Sequence, residues 1–238
     1  MKKYSKIIMV MAMMIVMAMP MTAFAEESDS TLISSEKVTL TLPYGKSRSV
    51  ESKEFTINTY NDNGVTVYSI DVEDPEYRLA AMEYINNLTG DVNSENKTRG
   101  VLLPGESEYH NDTDDDGEAR SYSWARNTVS IGKNNFEGGQ SGLWLGSGNC
   151  EYIVLQESIT VKGIGYTVSW PTGFSASGSS SSASWTSNPR YANVTGASFN
   201  GFVISSGATS CTFSNGADIY TSSRIYRPMN YLKFSYFS

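Results

Sequence analysis

The run Asp112-Thr113-Asp114-Asp115-Asp116-Gly117-Glu118 carries the sharpest chemical pattern in the chain. Asp112, Asp114 and Asp116 ahead of Gly117 fit D-x-D-x-D-G, the first half of a calcium loop. There, carboxylates at alternate positions converge on one hard cation and glycine permits the tight turn. Glu118 adds a backbone carbonyl. The twelfth position would be Ser123, where an EF-hand needs a bidentate Glu. An EF-hand is therefore excluded, and the expectation is a weaker Ca2+ site with Kd on the order of 10⁻⁴ to 10⁻³ M. A solvated acidic segment accounts for the same run, because charge runs commonly do no more than hold a chain in water.

Other reactive groups are few. His110 is the only histidine and sits within the acidic region, so multi-histidine zinc sites are out and a Ser-His-Asp or Cys-His mechanism is disfavoured. Glu151 and Glu157 are the one carboxylate pair in the C-terminal half with a spacing that puts both on one strand face, the arrangement a glycan hydrolase would need. Surface charge explains them equally well. Gly138-Gly-Gln-Ser-Gly142 and Gly146-Ser-Gly148 lack a following helix or lysine and read as turns rather than phosphate cradles.

The first residues set the compartment. Lys2, Lys3 and Lys6 precede an uninterrupted apolar stretch from Ile7 to Met19, Pro20 breaks it, and Ala23-Phe24-Ala25 is a small-x-small cleavage box. This is a signal peptide of bacterial style over residues 1–25, too short in its apolar part to span a bilayer. The expected protein is secreted, with no transmembrane segment after cleavage. Cys150 and Cys211 are the only cysteines, and in an oxidising compartment an isolated pair is expected to form a disulfide. Cys150, Trp170 and Cys211 follow the Cys…Trp…Cys order of immunoglobulin domains, but the first gap is long and Thr209 stands where a tyrosine corner needs Tyr.

The elements that must position these groups divide by charge. Residues 26–118 hold 21 acidic against 7 basic side chains, and residues 119–238 hold 4 against 8. Such asymmetry marks two modules or a tail and a body. Residues 26–90 read as a small α+β module. Lys37–Leu42 alternates in polarity. Glu54–Tyr60 and Val65–Ile70 flank Asn61-Asp-Asn-Gly64 as a hairpin, with Phe55, Ile57 and Thr59 expected opposite Val65, Val67 and Ser69. Pro75–Leu88 is a helix, capped by Asp74, with Pro75 at its first position, an apolar stripe of Tyr77, Ala81, Tyr84 or Ile85, and Leu88, and Gly90 as its stop. Residues 91–118 read as an acidic linker.

Residues 119–238 change to Ser, Gly, Thr, Asn and aromatics, with short alternating runs and no helical pattern. That predicts a mostly β fold, an antiparallel sandwich or barrel. Its aromatics, including Trp124, Trp144, Trp170, Trp185 and the closing Tyr220–Phe237 stretch with its interleaved basic side chains, either fill the core or stack on sugar rings. A net of four positive charges over this half argues against nucleic acid as a partner. The expected function is that of a secreted, non-catalytic binding protein contacting glycans or a cell surface. Two alternatives stand beside it. One is a toxin or antimicrobial precursor whose acidic segment masks a cationic body until cleavage near Arg120. The other is a secreted glycan hydrolase.

Overall fold

The computed structural model describes residues 30–42, 51–90, 102–177, 181–205 and 207–235. The expected signal peptide, residues 1–25, and the first part of the expected linker, residues 91–101, lie outside the described residues. The protein is mostly β; the described residues form one helix and two antiparallel sheets, neither of which closes on itself. Chain order is β1 (Ser30–Thr41), β2 (Ser52–Asp62), β3 (Val65–Ile70), α1 (Pro75–Leu88), β4 (Ser107–Asp116), β5 (Ala119–Ser130), β6 (Lys133–Trp144) and β7 (Tyr152–Gly163). Then come β8 (Val168–Ser169), β9 (Ser175–Ala176), β10 (Ser182–Thr186), β11 (Val194–Ser205), β12 (Ala208–Tyr220), β13 (Ile225–Tyr226) and β14 (Met229–Ser235). The first sheet runs β1-β2-β3-β11-β6-β5-β4, with β8 beside β11. The second runs β13-β12-β7-β10-β9, with β14 also on β12.

Several runs that read as separate short strands are continuous. Tyr152–Leu155 and Ser158–Val161 merge into β7, because Gln156-Glu157 keeps the alternation without supplying a turn residue. β11 spans Val194 to Ser205 and absorbs Asn200-Gly201 as a bulge, with Gly201 at φ +77°, where its register on β6 shifts between Phe199 and Phe202. The bulge lets Phe199 and Phe202, an odd number of residues apart, both enter the core.

The expected hairpin is present, with a tighter turn. Only Asn63 and Gly64, at φ +55° and +91°, lie between β2 and β3, and Asn61 Oδ1 accepts from the Gly64 N–H at 2.6 Å. The two-residue turn sets Val65 opposite Asp62, Val67 opposite Tyr60 and Ile70 opposite Ile57. The predicted facing of Phe55, Ile57 and Thr59 with Val65, Val67 and Ser69 is thus off by one residue. In a strand that inverts the face: Ile57 and Ile70 pack under α1, while Val65 and Val67 point toward the second sheet.

α1 has the predicted bounds and cap, with Asp74 Oδ1 accepting from the Glu76 N–H at 3.2 Å. Its buried face includes Tyr77, Ala81 and Ile85, but Leu88 is exposed and Arg78 is fully buried instead. The Arg78 guanidinium donates to the carbonyls of Val72 (2.8 Å), Glu73 (3.1 Å), Gly146 (2.6 Å) and Gly148 (2.7 Å). It thereby ties the helix entry to the loop after β6. Periodicity could not reveal this, because the partners are backbone carbonyls remote in sequence.

The core between the sheets is divided. A phenylalanine cluster holds Phe136, Phe199, Phe202, Phe213 and Phe234, and a second cluster holds Val67, Trp144, Ile153, Leu155, Trp185 and Ile219. Between them lie buried Gln140, Glu157, Asn215, Asn230, Ser121 and Ser123. On β12, Asn215 stands between Phe213 and Ala217. On β7, Glu157 stands between Leu155 and Ile159. A polar seam therefore crosses both sheets, and Asn230 Nδ2 donating to Ser121 Oγ at 2.9 Å spans them.

The expected disulfide is not formed. Cys150 and Cys211 are both free and buried. Cys211 pairs with Val161 at one end of the β7–β12 ladder, while Cys150 precedes Tyr152, whose partner Tyr220 is at the other end. At roughly 3.3 Å per residue the two lie about 30 Å apart, whereas a bridge needs Cα atoms within about 7 Å. Cys150 Sγ contacts the Ala192 carbonyl at 3.3 Å, and burial pushes its thiol up to about 12. Burial raises Cys211 as well. Titration with a thiol reagent is expected to count no reactive cysteine in the native protein and two in denaturant, with a melting temperature indifferent to reductant.

Candidate functional site

The acidic run is a strand, not a linker or a cation loop. β4 pairs with β5 continuously from Ser107–Thr128 to Asp116–Ala119, and Gly117 at φ +63° makes the turn with Glu118. The pleat of β4 sends Asp112, Asp114 and Asp116 to one side and Asp115 to the other. The three alternate carboxylates meet the backbone of β14 and the residues before it. Asp112 Oδ2 accepts from the Tyr231 N–H at 3.4 Å, Asp114 Oδ2 from Met229 at 2.8 Å, and Asp116 Oδ2 from Arg227 at 2.9 Å. Residues two apart on one strand thus serve amides two apart on an antiparallel neighbour in the other sheet.

Calcium does not fit this arrangement. Strand geometry spaces the three carboxylates by about 7 Å instead of converging them, and each already holds an amide. The Glu118 carbonyl, expected as a ligand, accepts from the Leu145 N–H at 2.7 Å. Among the described residues no three Asp, Glu, His or Cys side chains gather around a point. Asp115, on the opposite face, receives Arg120 Nε at 2.7 Å and Nη2 at 2.9 Å. That two-pronged bond holds its carboxyl below the usual range.

The candidate catalytic groups are kept apart. His110 Nε2 lies 2.7 Å from Glu108 Oε1 and edge-on to Phe234. Glu151 is exposed ahead of β7, whereas Glu157 is only 4% exposed and points into the polar seam. Six residues of strand separate them by about 20 Å, beyond the roughly 5–9.5 Å that glycoside hydrolysis uses. Burial pushes the Glu157 carboxyl well above its ordinary range, and its Oε1 has no hydrogen-bond partner. The raised value stems from desolvation of a core residue, not from an acid–base pair.

Exposed aromatic chemistry is concentrated elsewhere. Trp124, Trp144 and Trp185 are buried, and Trp170 stacks on Phe202 at 5.3 Å. On the face of the second sheet turned away from the first, Tyr152 and Tyr220 are direct cross-strand partners with rings stacked at 4.3 Å. Tyr191, 79% exposed, meets Tyr152 edge-on at 5.9 Å. Two residues along, Asp218 accepts from Gln156 Nε2 at 3.0 Å and pairs with Arg227 Nε at 3.3 Å. Partial burial, then Tyr220 and Glu151, raise the Tyr152 phenol above its usual value. Of the residues in this cluster, sequence reasoning had marked Tyr220 and Arg227, within the closing aromatic and basic stretch, but not Tyr152, Gln156 or Tyr191. The available signal was that Ile153 and Ile219 alternate inward, which sends their neighbours Tyr152 and Tyr220 out together.

A concave feature lies on the opposite side of the protein, where α1, packed over β6 and β11, leaves a gap beside the β4–β5 hairpin. It is a cleft of about 380 Å³ bordered by Met82, Glu83 and Asn87 of the helix side and Asn111, Arg120 and Tyr122 of the strands. No protein-family model and no curated protein matches the chain, so the roles of these residues rest on geometry alone.

Two outcomes follow from the placement of the acids. Asp114→Ala leaves the Met229 amide unpaired and is expected to cost about 1–3 kcal/mol in chemical denaturation. Amide exchange should speed up at Met229, and millimolar calcium should leave the melting temperature of the unaltered protein unchanged. For Glu157 the folded pKa lies above the unfolded one. Its contribution to stability is therefore complete below the ordinary glutamate value of about 4.3 and declines as pH rises from there, by up to about 1.4 kcal/mol per unit. Urea denaturation across this range should show that decline, and Glu157→Gln should remove it and be the more stable protein at neutral pH.

Proposed function

We propose that the protein is secreted after removal of residues 1–25 and acts without turnover, as a sandwich of two sheets that contacts glycans at a cell surface. The observation that carries this reading is the surface cluster of half-buried Tyr152 and Tyr220 with exposed Tyr191, beside Gln156, Asp218 and Arg227. Tyrosine faces stack on the C–H side of sugar rings while their phenols reach hydroxyls. The planar amide, carboxylate and guanidinium supply paired donors and acceptors for neighbouring hydroxyls. β7 and β12 carry Tyr152, Gln156, Asp218 and Tyr220, so these four lose little side-chain entropy on contact.

The rival readings find less to stand on. A precursor cut near Arg120 would be severed inside β5, between Asp115 of β4 and Leu143 of β6, with the acidic strand still holding β14. A hydrolase would have to bring Glu157 out of the core. A glycan array probed with the mature protein is expected to give binding that Tyr191→Ala and Tyr220→Ala each weaken by roughly tenfold, about 1.4 kcal/mol, without lowering the melting temperature. Sugar release should stay at background. Absence of any bound glycan, or binding by both variants as tight as that of the unaltered protein, would refute the reading.

A further inference from the structure

We infer that the cleft between α1 and the β4–β5 hairpin is a second carbohydrate subsite, one that takes a terminal mono- or disaccharide. The inference rests on the carbohydrate reading above and extends it to the other side of the protein. α1 covers the face of the first sheet that points away from the second: Trp124 Nε1 of β5 donates to Thr89 Oγ1 at 3.1 Å, and Leu143 of β6 packs with Ile85. The tyrosine cluster lies on the far side of the second sheet, so one ligand cannot engage both at short range.

The lining chemistry selects the ligand class. Asn87 and Asn111 bring amides to the two sides of the cleft, Glu83 adds a carboxylate, and half-buried Tyr122 and exposed Leu79 supply apolar surface. Amides and carboxylates with paired acceptors and donors match vicinal hydroxyls, and an aromatic or aliphatic surface matches the C–H face of a ring. Arg120 is pre-positioned because Nε and Nη2 are held by Asp115 at 2.7 and 2.9 Å, which also neutralises its charge locally. The cleft therefore lacks the net positive charge that phosphates or acidic ligands require, and its amide lining suits neither an acyl chain nor a bare apolar ring. A volume of about 380 Å³ lies near the lower end of small-molecule sites and is bounded by helix and sheet. It suits a chain end. The flat tyrosine face, by contrast, suits a chain lying along it.

Neighbouring Asn86 has a fixed role that supports the geometry. Its Oδ1 accepts from Ser141 Oγ at 2.6 Å, which locks this turn of α1 onto β6 and sets the cleft width. Asn87 and Asn111 are themselves exposed, so replacing them leaves the core intact.

The test is a backbone amide NMR titration of the mature protein with cellobiose, maltose and diacetylchitobiose. At least one sugar is expected to shift resonances of Asn87, Asn111 and Tyr122 as a set that saturates separately from any shifts at Tyr152, Tyr191 and Tyr220. Asn111→Ala should weaken the first set roughly tenfold and leave the second unchanged, and Tyr220→Ala should do the reverse. If all three sugars leave the cleft resonances still, or if Asn111→Ala and Asn87→Ala titrate like the unaltered protein, the subsite is overturned. Response at the tyrosines alone would overturn the subsite and keep the wider reading. Response at the cleft alone would keep the subsite and remove the tyrosine face as the primary site.

Discussion

Three aspartates set two residues apart on β4 hold three amides set two residues apart at β14, and the relation between the two sheets depends on that match. β14 is bonded on one side to β12 through an ordinary ladder. On its other side the carboxylates of Asp112, Asp114 and Asp116 stand where another strand would be. A side chain reaching across lets the sheets meet edge to edge without closing into one barrel. It also accounts for much of the acidity of the run. A carboxylate has several acceptor sites and no hydrogen to donate, so it serves an exposed amide edge better than a hydroxyl would.

The same junction shapes the interior. With β14 held against β5, Asn230 reaches Ser121 and begins the polar seam that continues through Asn215, Glu157 and Gln140. The two apolar clusters on either side are thereby separated, and each is filled by aromatic and β-branched side chains from both sheets. Buried Glu157 is the costly member, since desolvation pushes its carboxyl well above its ordinary range and its Oε1 has no hydrogen-bond partner. Arg78 plays the opposite part under α1. It is a buried cation whose hydrogens are spent on backbone carbonyls, so the loop after β6 and the helix entry are fixed together.

These constraints bear on function through what they leave at the surface. Glu157 is committed to the core, His110 to Glu108, and Asp112, Asp114, Asp115 and Asp116 to β14 or arginine, while Glu151 stays exposed. Tyr152 and Tyr220 lie half-buried on the outer face of the second sheet, with exposed Tyr191 beside them.

The sequence by itself determined the elements whose signals are local. Alternation and turn residues identified the β-rich class and the β2–β3 hairpin, and Asp74, Pro75 and Gly90 bounded α1 to the residue, because caps and turns act over a few neighbouring positions. Tertiary structure alone decided which face each strand presents and what each polar group meets. The two-residue turn at Asn63-Gly64 inverted the expected facing of Val65 and Val67. The run from Asp112 to Asp116 looked like a cation loop until its amide partners, more than a hundred residues away, came alongside. Cys150 and Cys211 looked like a bridge until β7 and β12 held them at opposite ends. Each of these depends on strand order, which the free energy of the assembled sheets selects and no short stretch of residues encodes.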